Sequence, residues 1–415
     1  MTISFIDVAI IGGGPGGLAL AQGLRKWGIE AAVFERDTVR ADYVQGFRLG
    51  IRQRGIDALQ AVLPSHLFEA FLGTVGKQPI DRITVDEQFR RLPDMPVGVG
   101  REDVHREKSV SRVTLRQILL AELGDTYRPG NGFERYEVEP EGTVLAHFAD
   151  GSVVRANVLV GADGAGSAVR RQLVPGYKSF DTGMRRLAGK ISLADAARLG
   201  LSPELLAQNV SVHPVGGRRM SIAGHHVKPE AYARFGLIGQ DDASYRDIAG
   251  THFDNTTSYL WWNTAYVQGE LAPDTALEKM DGAQLLEALL GHIGHWDELL
   301  LQLIRHSDPS TVALLKVRSS EPGSLWETGP VTLLGDAIHA MTYFRALGGN
   351  SALYDAGLLT DQLVQARRHG KPERAAIHDY ENAMREHGYE AVRSSLLAMQ
   401  RNDNAGQSLP AVAAA

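Results

Sequence analysis

The chain has 415 residues, enough for two domains or for one large core with an inserted layer, and its 44% hydrophobic and 22% charged composition is that of an ordinary globular protein. A net charge of −6 gives no electrostatic case for binding DNA, RNA or an anionic membrane. Cysteine is absent, which excludes disulfide frameworks, thiolate metal sites, cysteine nucleophiles and a paired-cysteine redox centre, and no metal ligand set is expected.

From the N-terminus, Asp7–Ile11 reads as a buried parallel strand, Pro15–Trp27 as the helix it feeds and Ala31–Glu35 as the next strand. The run Val8–Ile11 meets glycine too soon for a signal peptide or a membrane helix, so a cytoplasmic location is the expectation. Between strand and helix lies Gly12-Gly13-Gly14-Pro15-Gly16-Gly17. Glycines at Gly12, Gly14 and Gly17 let the backbone approach a pyrophosphate and aim a helix N-terminus at it. Glu35 stands near the spacing at which an acid bonds the ribose hydroxyls of an adenosine half, where its charge would repel a 2′-phosphate. A surface glutamate after a tight turn is the plainer alternative. Arg36, beside it, joins the candidate cofactor contacts.

Tyr43–Leu63 reads as a loop or edge strand followed by an amphipathic helix, and Ser111–Leu123 has a helical period. Between them Val75–Arg106, rich in Gly, Pro and charge, looks like an excursion out of the nucleotide domain. Phe133–Phe148, turning at Asp150-Gly151 and resuming at Val153–Val160, reads as a hairpin returning into a buried strand. That strand delivers Gly161, Asp163 and Gly164 to a turn, with Ser167 as an N-cap and Arg170 in the helix. Taken alone, this connection could be purely structural.

From Tyr177 to Gly269 the nucleotide signals vanish, and short β-prone runs such as Tyr259–Val267 alternate with loops, as in a substrate domain. The aromatic run from Tyr259 to Trp262 suits that sheet, and packing alone explains it as well. Leu285–Ile304 is apolar with helical spacing, and Val312–Val317 then Val331–Leu334 are expected to lead back into the first domain. Gly335-Asp336 then places a carboxylate where it can bond a ribityl chain. Gly348, Gly349 and Asn350 open a helix from near Ser351, whose first amides could face the N1–C2=O edge of a reduced flavin and hold its negative charge. His339, just after the turn, reads more readily as structural than as chemical. Helices are expected over Ser351–Arg368 and Glu373–Gln400, with a frayed tail from Asn402.

With GGGPGG and Glu35, GADG with Asp163, and GD with Asp336 in this order, most of the chain resembles the class A flavoprotein monooxygenases of the p-hydroxybenzoate hydroxylase fold. The resemblance implies an α/β fold: a Rossmann-like FAD-binding domain, an interleaved α+β substrate domain with a mixed β-sheet, and C-terminal helices. The FAD-binding domain is then expected over 1–75, 107–176 and 291–370, with an excursion to the substrate domain over 76–106. The substrate domain proper would occupy 177–290, a C-terminal helix 371–402 and a flexible tail 403–415. SRVTLRQILL resembles the helix whose first arginine, here Arg112, reaches the flavin's phosphate or ribityl region, and QGFRLGI resembles the loop beside the isoalloxazine, with Arg48 a candidate contact. Gly12, Gly14, Pro15, Gly16, Gly17, Gly335, Gly348, Gly349 and Asn350 complete the expected cofactor site.

The resemblance further implies FAD reduced by NADH or NADPH, then reaction with O2 to a flavin C4a-(hydro)peroxide that oxygenates a small organic substrate, aromatic or polyketide-like. No separate nicotinamide domain is implied, consistent with a single GxGxxG. The halogenase signature WxWxIP does not appear in WWNTAYV. The family's loop after GD carries a proline where this chain has Tyr343 and a glycine where it has Ala346, which makes Tyr343 a candidate for contact with substrate or the oxygen adduct. Alternatives are an FAD scaffold catalysing a redox-neutral cyclisation or rearrangement, and a relic flavin site without catalysis. His213, His225, His226 and Tyr232 are candidates for acid-base work. The expected partners are a small-molecule substrate and O2, with no nucleic acid and no membrane, as a monomer or a homodimer.

Overall fold

The computed structural model describes residues 3–38, 48–76, 82–93, 107–201, 206–215, 217–228, 234 and 257–403. Two larger sheets and a two-stranded ribbon organise these residues. In chain order the strands are β1 (Ser4–Ile11), β2 (Ala31–Glu35), β3 (Arg48–Ile51), β4 (Arg82–Val85), β5 (Lys108–Ser111), β6 (Tyr127–Pro129), β7 (Phe133–Val138) and β8 (Val144–Phe148). They continue as β9 (Val153–Gly161), β10 (Ser179–Ser192), β11 (Asn209–Val212), β12 (Met220–His225), β13 (Tyr259–Val267), β14 (Ala313–Ser320) and β15 (Val331–Leu333). The helices used below are α1 (Pro15–Lys26), α2 (Arg112–Leu120), α3 (Ala168–Leu173), α4 (Gly282–Ile293), α5 (Glu298–Arg305), α6 (Asp336–His339), α7 (Gly348–His369) and α8 (Glu373–Asp403).

The first sheet runs β6-β2-β1-β9-β8-β7, with β15 pairing β9. Its register positions the site. β1 pairs in parallel with β2 and β9, and β15 in parallel with β9, so that Ile11 lies beside Phe34 and Gly161, and Leu333 also lies beside Gly161. Four strands therefore end along one edge, and Gly12, Glu35, Asp163 and Asp336 all leave from it. The carboxyl edge of a parallel sheet is where such folds place ligands. Val8, Ile10, Leu159, Val160 and Leu333 are wholly buried, as expected for strands covered on both faces.

The second sheet runs β14-β10-β13-β12-β11-β4, antiparallel except for the parallel pair β11 and β4. Alternation divides it into two faces. One carries Leu187, Ile191, Ile222, Leu260 and Trp262 into a core shared with α4 and α5. The other carries Arg186, Lys190, Ala223, His225, Tyr259 and Trp261. No helix among the described residues is long and apolar enough to cross a membrane.

Three local expectations differ from the structure. Phe133–Phe148 is itself a hairpin, β7 and β8, because Pro140 and Gly142, with φ +92°, turn the chain between them, while the expected turn at Asp150-Gly151 is present and joins β8 to antiparallel β9. Leu285–Ile304 is two helices, interrupted after Gly294 and restarted by Asp297, whose carboxylate accepts from the Leu299 amide at 2.9 Å. The stretch Val312–Val317 does not return to the first sheet, since β14 pairs antiparallel with β10 and α5 buries its leucines in the second core. Residues 291–320, expected in the third FAD-domain segment, thus belong spatially with the second sheet. Gln45–Phe47 of the loop expected beside the isoalloxazine, and Tyr232, lie outside the described residues.

Candidate functional site

The strand ends open onto a cleft of about 430 Å³, within the size range of ligand sites. Gly12, Gly14, Pro15 and Gly16 line its first part, followed by Glu35 and Arg36. Gly12 adopts φ +109°, and a side chain there would meet the Ala162 carbonyl oxygen at 2.4 Å. A Cβ at Gly14 would meet nothing within 4 Å, so this N-cap borders open space. Gly17 does not line the cleft. Its missing Cβ, which would sit 2.2 Å from the Gly12 carbonyl oxygen, lets α1 press against β1. Glu35 is anchored from below, its Oε2 accepting from the Gly13 amide at 2.7 Å and its Oε1 from the Asp37 amide at 3.1 Å. Both oxygens keep further lone pairs for ligand hydroxyls. Arg36 donates to Asp37 at 3.0 Å, and its side chain is largely exposed at the rim.

Asp163 uses one oxygen to cap α3, accepting from the Ala168 amide at 2.7 Å and the Val169 amide at 3.3 Å. Its other oxygen, Oδ1, is buried with no hydrogen-bond partner among the described residues, and the residue lines the cleft. Such an oxygen is costly to bury unless a ligand donates to it. Buried Arg170 locks two turns together, donating to the Ala337 carbonyl at 2.7 Å and the Ala165 carbonyl at 2.8 Å. Asn131 and Phe133 also line the cleft, though nothing in their sequence context marks them.

At the far end Asp336 and Arg112 face the cleft with Gly348 and Gly349. Arg112 opens α2, and Ser111 caps that helix from its hydroxyl. Asp336 is open to solvent within the cleft although protein surrounds it at depth. Burial pushes its pKa up, while His339 and Arg112 pull it down, and the net direction is upward. Water within the cleft moderates that shift, so it would be felt fully only with a ligand covering the carboxylate.

Gly335 takes φ +63°, and its amide donates to Asp355 Oδ2 at 2.8 Å. The same oxygen is 2.7 Å from His339 Nε2, and Asp355 Oδ1 lies 2.8 Å from His387 Nε2. His339 and Asp355 are fully buried. Burial alone would raise Asp355's pKa, but the two histidines hold it well below the carboxylate range. Burial likewise opposes the His339 charge, and Asp355 outweighs it, so that pKa rises. His339 is thus structural, and the aspartate that fixes the Gly335 turn comes from α7, a partner no local motif announces.

Asn350 does not line the cleft either. It accepts from the Arg52 amide at 2.8 Å and donates to the Gly50 carbonyl at 2.8 Å and the Ala346 carbonyl at 2.9 Å, tying the start of α7 to β3. The preceding loop keeps left-handed backbone without glycine, Arg345 at φ +73° and Ala346 at φ +51°. Tyr343 stacks on Phe344 at 4.5 Å between centroids, with the Arg186 guanidinium 4.5 Å from its ring.

Arg48 is absent from the residues that line the cleft, whereas its neighbour Leu49 is present, because successive strand residues face opposite ways. Arg48 donates to Ser109 Oγ at 2.9 Å and lies 5.1 Å from the Trp261 ring, turned toward the second sheet. His225 Nδ1 is 3.2 Å from the same hydroxyl, and burial, then Arg48, pushes its pKa down to about 3, so the ring is neutral. His213 bonds Ser211 at 2.9 Å and His226 meets the Leu206 carbonyl at 3.1 Å, both local contacts.

The cleft fits a dinucleotide: an acid with amide-anchored oxygens at one end, an orphaned carboxylate oxygen midway, and a carboxylate beside two helix N-termini at the other. Comparison with known proteins agrees. The model of the FAD binding domain family matches residues 6–199 and 308–395. The dual O-methyltransferase/FAD-dependent monooxygenase elcB of Phaeosphaeria nodorum is 28% identical over 393 residues, covering 85% of this chain and 40% of that protein. The chain spans about two-fifths of the length of the first curated relatives it matches. FAD-dependent monooxygenase thnD of Trichoderma harzianum is 27% identical over 409 residues, covering 94% of this chain and 92% of its own. Among solved structures, a candidate FAD-containing monooxygenase from Photorhabdus luminescens subsp. laumondii TTO1 is similar at a TM-score of 0.79 and 29% identity, covering 96% of this chain and 98% of its own.

Proposed function

Because the chain belongs to the FAD binding domain family, among the class A flavoprotein monooxygenases, we propose that it is an NAD(P)H-dependent enzyme that inserts one oxygen atom of O2 into a small organic substrate, aromatic or polyketide-like. The observation that carries this reading is the gathering of Glu35, Asp163 and Asp336 on one cleft from strand ends far apart in sequence. FAD, when bound, would accept a hydride from NADH or NADPH and supply the reductive activation of O2.

The chain's own residues do the rest. Glu35 binds the adenosine ribose through oxygens already oriented by the Gly13 and Asp37 amides. The N-terminus of α1, with Gly14 and Gly16 at the surface, receives the pyrophosphate. Asp163 Oδ1 accepts a hydroxyl in the middle, and Asp336 holds the ribityl hydroxyls with Arg112 alongside. The amides that open α7 at Gly348 and Gly349 favour negative charge at the end of the cleft. Tyr343, in the loop between Asp336 and Gly348 and beneath Arg186, is the candidate for contact with substrate.

The test is consumption of NADPH or NADH by the FAD-loaded protein across a panel of phenolic and polyketide acids, with 18O2 as the oxidant. One labelled oxygen in the product and NAD(P)H use that depends on substrate are expected. Product formed under anaerobic conditions without NAD(P)H would refute an oxygenase and favour redox-neutral chemistry.

A further inference from the structure

On the reading above, a substrate must lie between the flavin end of the cleft and the polar face of the second sheet. That face is fixed by register: Arg186 and Lys190 alternate along β10, Lys190 pairs with Trp261 on β13, and Trp261 pairs with Ala223 on β12. It is joined to the cleft wall through the chain at two points. Arg48, over Trp261, adjoins Leu49 of the cleft wall. Tyr343, under Arg186, belongs to the loop between Asp336 and Gly348.

The charges on this face are unusual for a protein interior. Arg186 is surrounded by protein yet keeps part of its side chain within reach of water. It forms no ion pair among the described residues, and its Nε is buried without a hydrogen-bond partner. Trp261 Nε1 and His225 Nε2 are likewise buried donors or acceptors lacking partners among the described residues. Arg48 is buried to a similar depth, and the carboxylate that bears on it, Glu107, lies 3.9 Å from Arg52. Lys190 Nζ stands 5.3 Å from the Tyr259 ring on the same face. His225, held neutral, adds no further positive charge. A ring beneath a guanidinium offsets only part of the cost of taking that cation out of water, and an opposite charge does more.

We propose that this face binds an organic anion: the substrate is a planar aromatic acid whose carboxylate pairs with Arg186 above Tyr343 and whose ring system extends along β10 toward Trp261. Arg186 and the position paired with Trp261 are four residues apart on β10, about 13 Å at the rise of a strand, the length of a fused polycycle rather than a single ring. Arg186 presents a planar fork that matches a carboxylate, and Trp261 offers both a stacking surface and an indole N–H.

The experiment compares anthracene-2-carboxylate with anthracene-2-carboxamide by isothermal titration of the FAD-loaded protein. The acid should bind at least tenfold more tightly than the amide. Arg186→Met should weaken the acid at least tenfold and leave the amide within about twofold, while Arg186→Lys recovers part of the loss. Equal binding of acid and amide by the unaltered protein, a preference that survives Arg186→Met, or no saturable binding of the acid would each overturn the proposal. The comparison in the unaltered protein stands even if a variant fails to fold. A separate FAD titration distinguishes the two failures, since loss of the anion preference with FAD still bound overturns only the substrate class.

Discussion

Asp355→Asn removes one charge from the buried group that shapes the Gly335 turn and leaves its volume almost unchanged. In the wild type that carboxylate accepts from the Gly335 amide at 2.8 Å and faces His339 at 2.7 Å and His387 at 2.8 Å. Breaking a buried pair by neutralising one member costs about 3–5 kcal/mol, because the other charge stays in the interior. Losing the acceptor for the Gly335 amide would add about 1–3 kcal/mol, unless the asparagine oxygen turns toward it. We therefore expect a loss of about 3–5 kcal/mol, read by urea denaturation followed by circular dichroism. FAD affinity should fall about tenfold for each 1.4 kcal/mol of the loss that goes into displacing Asp336. The pH dependence has a definite sign. His339 has a raised folded pKa, so its contribution is fully present below its ordinary value of 6.5 and is lost as pH rises through the folded value. Asp355 has a depressed folded pKa, so its contribution is present above its ordinary value of 3.8 and fades as pH falls toward the folded value. Wild-type stability should thus decline as pH rises above 6.5 through the raised His339 value, and Asp355→Asn should flatten that decline. A loss below about 1 kcal/mol, or an unchanged pH profile, would refute the assignment of Asp355 as the anchor of the turn.

Gly17→Ala should destabilise by about 1–3 kcal/mol in thermal unfolding, since its Cβ would fall 2.2 Å from the Gly12 carbonyl oxygen and force α1 off β1. Glu35→Gln should weaken FAD by about ten- to a hundredfold in a fluorescence titration, the range expected when charge-assisted hydrogen bonds to ribose become neutral. Ala346→Gly should leave stability unchanged or raise it by up to about 1 kcal/mol in urea denaturation, because relief of the left-handed φ of +51° outweighs the added freedom of the unfolded chain.

Much of the first domain was legible because its signals are local. Gly12 to Gly17, Glu35 and Asp336 each follow a short apolar strand directly, and parallel register then brings the strand ends to one edge. What escaped depends on contacts distant in sequence. Asp355 lies in a helix whose sequence gives no hint that it turns toward Gly335, and Arg170 reaches Ala337 across 167 residues. Arg48 is a candidate cofactor contact from the QGFRLGI resemblance, but strand alternation points Leu49 at the cleft and Arg48 at Trp261. The break at Ala346 was visible as a departure from glycine. Its consequence was not, since the loop retains the left-handed conformation with Arg345 and Ala346 in place of a permissive residue. The second sheet leaves a weaker trace in the sequence, because its strands carry no turn motif, and β14 joins β10 only through pairing across the inserted helices.

On the proposed function, one cleft binds a single FAD with its adenosine at Glu35 and its ribityl chain at Asp336. The most direct test is calorimetric titration of the FAD-free protein with ADP, FMN and FAD in wild type, Glu35→Ala and Asp336→Ala. Glu35→Ala is expected to weaken ADP and spare FMN, Asp336→Ala to weaken FMN and spare ADP, and both to weaken FAD. FAD affinity indifferent to Asp336→Ala, or ADP affinity indifferent to Glu35→Ala, would contradict it.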